Sequence, residues 1–151
     1  MTTKKLKIKV IFDTNVWISF LIGKRLSVVE KFISSRQIIL VTTDRLIEEI
    51  REVTGRERLK KYFPYSKVMD LIRFLEAVAE KYEITSRHFI SRDPKDDFLL
   101  DLITESKADY LVTGDKDLLT LNPFETTVIL APADFEKILT GDHDYITAKN
   151  Q

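Results

Sequence analysis

The run Ile8-Lys9-Val10-Ile11-Phe12 breaks off in Asp13-Thr14-Asn15, and a second apolar stretch, Val16 to Ile22, starts at once. A short apolar run with β-branched residues reads as a buried strand, here turning directly into a helix. An acidic residue at the C-terminal end of a buried parallel strand stands where open α/β sheets bind their ligands. Asp-Thr-Asn is equally good helix-cap chemistry, so Asp13 taken alone supports either reading. The question is whether other carboxylates return to that point.

The rest of the chain alternates in the same way. Helices are expected over 16–22 and 27–35, broken near Gly23, then a strand over 37–41. Thr42-Thr43-Asp44 offers caps for a helix through Val53, closed at Gly55. A short helix over 57–63 stops at Pro64, and an apolar period at Val68, Leu71, Ile72, Leu75, Val78 and Ala79 marks a helix from Ser66 to Tyr82. A short strand is expected near 83–85. Asp93-Pro94 starts a helix to about Ser106, with Asp as N-cap and Pro in the first turn. Residues 108–113 lead into a strand closed by Gly114-Asp115, a short helix begins at Lys116, a last strand covers 126–130, and Pro132 opens a helix through Leu139. Alternating strands and helices predict a parallel sheet covered on both faces, with all strand C-termini on one edge. Residues 1–140 are expected to form one domain, and 141–151 a flexible polar tail.

Composition narrows the chemistry. The chain has no Cys, which excludes a disulfide framework, a thiol nucleophile and a Cys-ligated zinc site, and suits a reducing, cytoplasmic setting. No apolar run approaches the ~20 residues of a membrane helix, and no signal peptide is expected, since a strand follows the basic start. Lys+Arg and Asp+Glu balance at 24 each, so no global field attracts a polyanion and any such site is local or works through metal ions. His88 and His143, near a loop and in the tail, read as surface residues.

Helix geometry sorts the acids. With Leu46, Ile47, Ile50 and Val53 as the buried face, Glu49 borders it while Glu48 and Glu52 point away. With Leu99, Leu100, Leu102 and Ile103 buried, Asp96 falls near the border, Asp97 and Asp101 far round the helix, and Asp93 is the cap; Asp97 is the closest rival of Asp96. Asp115 ends a strand, and Asp117 is either an auxiliary ligand or a cap. Each has an ordinary structural explanation as a cap, a turn residue or a solvated side chain. Together, Asp13, Glu49, Asp96 and Asp115 would repel one another unless neutralised, and oxygen-only ligands select Mg²⁺ or Mn²⁺, as one or two ions. Such a site can activate water against a phosphodiester without a protein nucleophile.

Phe-Asp-Thr-Asn-Val at 12–16, Glu-Ile-Arg-Glu-Val at 49–53, Arg-Asp-Pro-Lys-Asp-Asp-Phe-Leu-Leu at 92–100 and Ala-Asp-Tyr-Leu-Val-Thr-Gly-Asp-Lys-Asp-Leu-Leu at 108–119 resemble the PIN-domain family. The closing Leu-Ala-Pro-Ala-Asp-Phe at 130–135 resembles a subgroup of toxin components of toxin–antitoxin pairs, of VapC type. The resemblance spans roughly residues 7–140. It implies a three-layer α/β/α sandwich with a parallel five-stranded sheet in order 3-2-1-4-5, and metal-dependent endoribonuclease activity. By position it implies that Asp13, Glu49, Asp96 and Asp115 form the acidic quartet, that Asn15 and Thr113 organise it from behind, and that Asp117 is a less certain ligand. Asp101 stands where such proteins carry a small residue, a departure made harmless by its expected outward position.

For RNA, the cluster Arg56, Arg58, Lys60 and Lys61 is the expected phosphate contact, with Tyr62, Phe63 and Tyr65 either stacking a base or packing in the core. Lys4, Lys5, Lys7 and Lys9, and Arg87 with Arg92, are further basic groups that read as solvated surface. Apolar surface on helices 16–35 and 66–82 suits a homodimer or a groove for a cognate antitoxin, as the toxin resemblance implies. Two competing readings are a housekeeping RNA-processing nuclease and a catalytically idle interaction module whose acids only cap helices.

Overall fold

The computed structural model of the protein describes residues 7–23, 26–85 and 97–141. Strands β1 (Ile8–Phe12), β2 (Ile38–Thr42), β3 (Glu80–Lys81), β4 (Tyr110–Val112) and β5 (Val128–Leu130) form one parallel sheet in the order β3-β2-β1-β4-β5. The helices are α1 (Thr14–Ile22), α2 (Leu26–Ser34), α3 (Asp44–Thr54), α4 (Tyr65–Val78), α5 (Asp97–Ser106), α6 (Lys116–Leu119) and α7 (Pro132–Leu139). This is the helix-flanked parallel α/β sheet, with its strand order, that the sequence implies. With right-handed crossovers, the outward steps from β1 to β2 to β3 put their helices on one face, and the return to β4 and β5 puts theirs on the other. The order therefore reverses between β1 and β4, and the crevice beyond those two strand ends is the switch point where such sheets take ligands.

The core follows from strands apolar on both faces. Val10, Ile11 and Phe12 are at most 1% exposed. Phe12 centres an aromatic cluster, edge-on to Trp17 at 5.2 Å, Phe20 at 5.6 Å and Phe135 at 5.5 Å between ring centres. Edge-to-face geometry suits the ring quadrupoles and adds to the burial term. A smaller cluster of Ile47, Phe63, Val68 and Ile72, with Ile18, Leu21, Leu59 and Met69 around it, joins α1, α3 and α4.

Three local expectations need correction. The third strand lies at Glu80–Lys81, pairing Val41 and Thr42, and not at 83–85. Both of its residues are exposed at the sheet edge, so no apolar period marks it. Its place is held partly by Lys81, whose Nζ reaches Asp44 at 3.0 Å and Glu76 at 2.8 Å. The preceding helix ends at Val78, four residues short of Tyr82. Thr43 is the N-cap of α3 but makes no side-chain capping bond. The expected start of α5 at Asp93, the histidines, Lys4, Lys5, Arg87, Arg92 and the tail from 142 lie outside the described residues.

Because Phe12 contacts three other rings and is essentially sealed from solvent, Phe12→Ala should destabilise the fold by about 3–5 kcal/mol in urea unfolding. A loss below about 1 kcal/mol would contradict its central place in the core.

Candidate active site

Parallel register brings the first two site residues together. Phe12 pairs with Val112 across β1 and β4, so Asp13 and Thr113 leave the sheet side by side. Their backbones extend the ladder: Asp13 N donates to Val112 O at 3.1 Å and Thr113 N to Leu130 O at 3.0 Å. Asp13 is 5% exposed and Thr113 fully buried.

Asp13 is both the N-cap of α1 and the acid at the switch point. Its Oδ1 accepts from Asn15 N at 2.8 Å and Val16 N at 3.2 Å, which fixes the start of α1. Its Oδ2 accepts a short hydrogen bond from the Thr113 hydroxyl. A carboxylate has about four lone-pair directions, and the described residues use three of them, two on Oδ1 and one on Oδ2. Burial pushes the Asp13 carboxyl above its ordinary range; the donors from Thr113, Val16 and Asn15 oppose this, and the negative charge of Asp115 adds to it. A carboxylate made costly by burial and a like charge is relieved by a cation.

Thr113 also ties in the second acid. Its Oγ1 accepts from Asp115 N at 3.0 Å while donating to Asp13. The side chain of Asp115 accepts from Asp117 N at 2.8 Å, so it too caps a helix, the single turn α6. Asp117 is exposed on that turn. A Cβ at Gly114, between Thr113 and Asp115, would meet nothing within 4 Å, which leaves the approach to this corner open.

Glu49 arrives from α3, half-buried, while Glu48 and Glu52 are exposed, as their helical phase predicts. Its Oε2 accepts from the Thr14 hydroxyl at 2.6 Å. Thr14 directly follows Asp13, so this bond anchors α3 beside the end of β1. The sequence reading missed Thr14; its position at the first turn of α1, next to the acid, is the signal that could have found it. Asn15, expected to organise the site through its side chain, is exposed and contributes its backbone N–H to Asp13.

The α5 acids depart from expectation. Asp96 lies outside the described residues. Asp97, placed far round the helix by the apolar pattern, is only 8% exposed, and Asp101, expected to point outward, is 6% exposed. The expected phase holds only for a helix with one solvated face. In α5 Asp97, Leu99, Leu100, Asp101, Leu102, Ile103 and Ser106 are all buried, so its apolar residues do not define a single inner side. Asp97 and Asp101 are one turn apart and share a stripe. The Arg45 guanidinium lies over the Phe98 ring, 5.6 Å from its centre, and brings the first turns of α3 and α5 together.

In these side-chain conformations no three acids or histidines among the described residues are close enough to hold one ion. The described acids are joined through threonines, Asp13 to Asp115 by Thr113 and Glu49 to the Asp13 end by Thr14. The side-chain oxygens of Asp13, Glu49 and Asp115 are hard donors, the chemistry that suits a Mg²⁺- or Mn²⁺-type ion rather than a thiophilic one.

These features define a class: a parallel α/β domain with buried and half-buried acids at the carboxyl edge of its switch point. The sequence profile described as the PIN domain matches residues 9–117. An uncharacterized protein of Methanocaldococcus jannaschii is 31% identical over 125 residues, covering 78% of this chain and 77% of the relative. The chain belongs to the PIN-domain family, whose members are generally nucleases. No described helix is long and apolar enough to cross a membrane.

The raised pKa of Asp13 has a stability consequence. The folded state holds that proton more tightly than the unfolded chain, so the associated stability is present below the unfolded value, near 3.9, and is lost as pH rises through the folded one. Asp13→Asn keeps a competent N-cap without the charge. In metal-free buffer it should melt higher than the natural protein at pH 7, and the gap should close toward pH ~4. A lower melting temperature for the variant at pH 7 would contradict the burial cost assigned to Asp13.

Proposed function

We propose that the protein is a Mg²⁺- or Mn²⁺-dependent endoribonuclease. The observation that carries this reading is the Asp13–Thr113–Asp115 chain of hydrogen bonds at the switch point of a PIN-domain sheet. In it, Asp13, Glu49 and Asp115 hold one or two ions together with Asp96 or its rival Asp97, and Asp117 is an auxiliary ligand. Thr113 and Thr14 fix the rotamers of Asp13 and Glu49, and Asn15 N–H holds Asp13 Oδ1. A bound divalent ion would supply a nucleophilic water at neutral pH and charge neutralisation for the phosphodiester. The chain's own part is to keep Asp13 ionised against its burial, to orient its Oδ2, and to hold Glu49 at the same edge.

The finer role we infer is that of the toxin of a toxin–antitoxin pair, on the resemblance of residues 130–135 and of the four earlier motifs to that subgroup. A cognate antitoxin and a second copy of the chain are the protein partners this role calls for. Ile22, 71% exposed at the end of α1, is apolar surface such a partner could cover. A cytoplasmic site of action goes with it. Toxicity on expression, relieved by co-expressing the neighbouring gene's product, separates this role from housekeeping RNA processing.

One observation favours the idle-module alternative: Asp13 and Asp115 each cap a helix, and no three described acids cluster. Melting curves decide between the two. An ion present at a hundred times its dissociation constant stabilises by about 2.7 kcal/mol, so Mg²⁺ or Mn²⁺ should raise the melting temperature of the natural protein and not that of Asp13→Asn. No shift with either ion would remove the metal reading.

Cleavage of a labelled single-stranded RNA with Mg²⁺ should vanish in Asp13→Asn. Comparing Asp96→Asn with Asp97→Asn identifies which carboxylate of the pair acts. Thr113→Val, which strips the donor from Asp13 and the acceptor from Asp115 N–H, should lower metal affinity or activity about 10–100-fold. Undiminished cleavage by Asp13→Asn would sink the assignment.

A further inference from the structure

The segment after α3 is built to present aromatic rings and positive charge together. Residues 56–67 carry Arg56, Arg58, Lys60, Lys61 and Lys67 against the single acid Glu57, in a chain whose net charge is zero. Arg56 and Lys60 make loose exposed pairs with Glu52 and Glu57, each at 3.9 Å, which hold little energy. Arg58, Lys61 and Lys67 have no acidic partner within ion-pair distance among the described residues.

The aromatics of this segment divide cleanly. Phe63 is 5% exposed and packs with Ile47, Val68 and Ile72, and Leu59 packs against the same cluster. These two side chains pin the 3₁₀ turn Lys60–Tyr62 from beneath. Tyr62 and Tyr65, on either side of the Phe63-Pro64 corner, are 61% and 79% exposed, among the largest exposed apolar side chains described. Lys61 Nζ sits over the Tyr62 ring, 5.0 Å from its centre. Two exposed rings on a pinned corner, flanked by uncompensated cations, match a single-stranded polyanion with free π-faces better than an apolar protein surface. Cations take phosphates while rings take bases, and stacking tolerates any base.

We infer that Tyr62 and Tyr65 are stacking platforms for unpaired bases of RNA, with Arg58 and Lys61 on the adjoining phosphates. This rests on the ribonuclease reading for its ligand class and adds where the substrate is held and in what form. The strip selects single strands, since a base inside a duplex offers no free face to Tyr62 or Tyr65. Its position directly after α3, which carries Glu49, gives the substrate a hold outside the acidic edge.

The test is fluorescence anisotropy in EDTA, so that no cleavage occurs, with a labelled ten-nucleotide single-stranded RNA and a duplex of the same sequence. Tyr62→Ala/Tyr65→Ala should weaken single-strand binding by about tenfold or more, with little change for the duplex. Tyr62→Phe/Tyr65→Phe, which keeps both rings, should restore it to within about twofold. Arg58→Ala/Lys61→Ala should weaken both ligands and flatten the salt dependence. Light scattering of each variant runs alongside. Unchanged single-strand affinity in the double alanine variant overturns the inference. So does an affinity loss found only together with conversion of a dimer to a monomer, which would make the strip an interface between copies. Cleavage by the natural protein with Mg²⁺ is measured separately: tyrosine-dependent binding without cleavage removes the nuclease reading and keeps the strip, whereas cleavage without tyrosine-dependent binding does the reverse.

Discussion

The hydrogen bond from Thr113 to the buried carboxylate of Asp13 is the contact on which the site depends. It joins the ends of β1 and β4, the two strands between which the sheet order reverses. Both residues continue the backbone ladder, so their relative position is set by strand register and not by a loop. A site held by rigid elements keeps its ligand atoms in place without help from substrate. The same carboxylate starts α1 with its other oxygen, and Thr113 passes the alignment on to Asp115. Cap and candidate ligand are therefore not competing descriptions of Asp13. Oδ1 caps the helix, and Oδ2, held by Thr113, is the oxygen that would face a ligand.

Much of this was legible because it lies in short apolar runs and their punctuation. The strands at β1, β2, β4 and β5, the helix ends at Gly55 and Pro132, and the helical phase of Glu49 all follow from residues whose local pattern agrees with their place in the fold. Glu49 was selected correctly as the half-buried acid of its helix because α3 has one inner face, with Glu48 and Glu52 outside it. The same argument failed on α5, which is enclosed on several sides and buries Asp97 and Asp101 with its leucines. A hydrophobic pattern marks where apolar side chains are, and it locates polar ones only when the rest of the helix is solvated. β3 lies three residues before its expected place for a related reason: two exposed residues pair through backbone atoms, which leave no trace in side-chain character. Thr14 and Phe63 show the remaining limit. Whether a hydroxyl reaches Glu49, or a ring turns inward while Tyr62 and Tyr65 turn outward, is decided by tertiary neighbours that spacing does not encode.

The net charge of zero hides a separation that matters more than the total. Asp13, Asp115 and Glu49 stand at the carboxyl edge, and Arg58, Lys61 and Lys67, with no acidic partner among the described residues, stand on the segment after α3. A neutral chain of this kind exerts little long-range pull on nucleic acid, and any attraction would be local. The two halves of that arrangement are complementary. An acidic edge alone would repel a phosphodiester, and a basic strip alone would hold RNA without reacting with it.

The enclosure of α5 points the same way. Carboxylates enclosed beside Leu99, Leu100, Leu102 and Ile103 are tolerated where each has a polar or charged partner, as Asp97 and Asp101 do. Burial of Asp13 has a cost, seen in its raised pKa. Functional sites are where such local costs persist, because the chemistry needs charge held in a dry, fixed place. Arg45 over Phe98 brings the first turn of α5 against α3, so the Asp97 end of that stripe is the end beside the helix that carries Glu49.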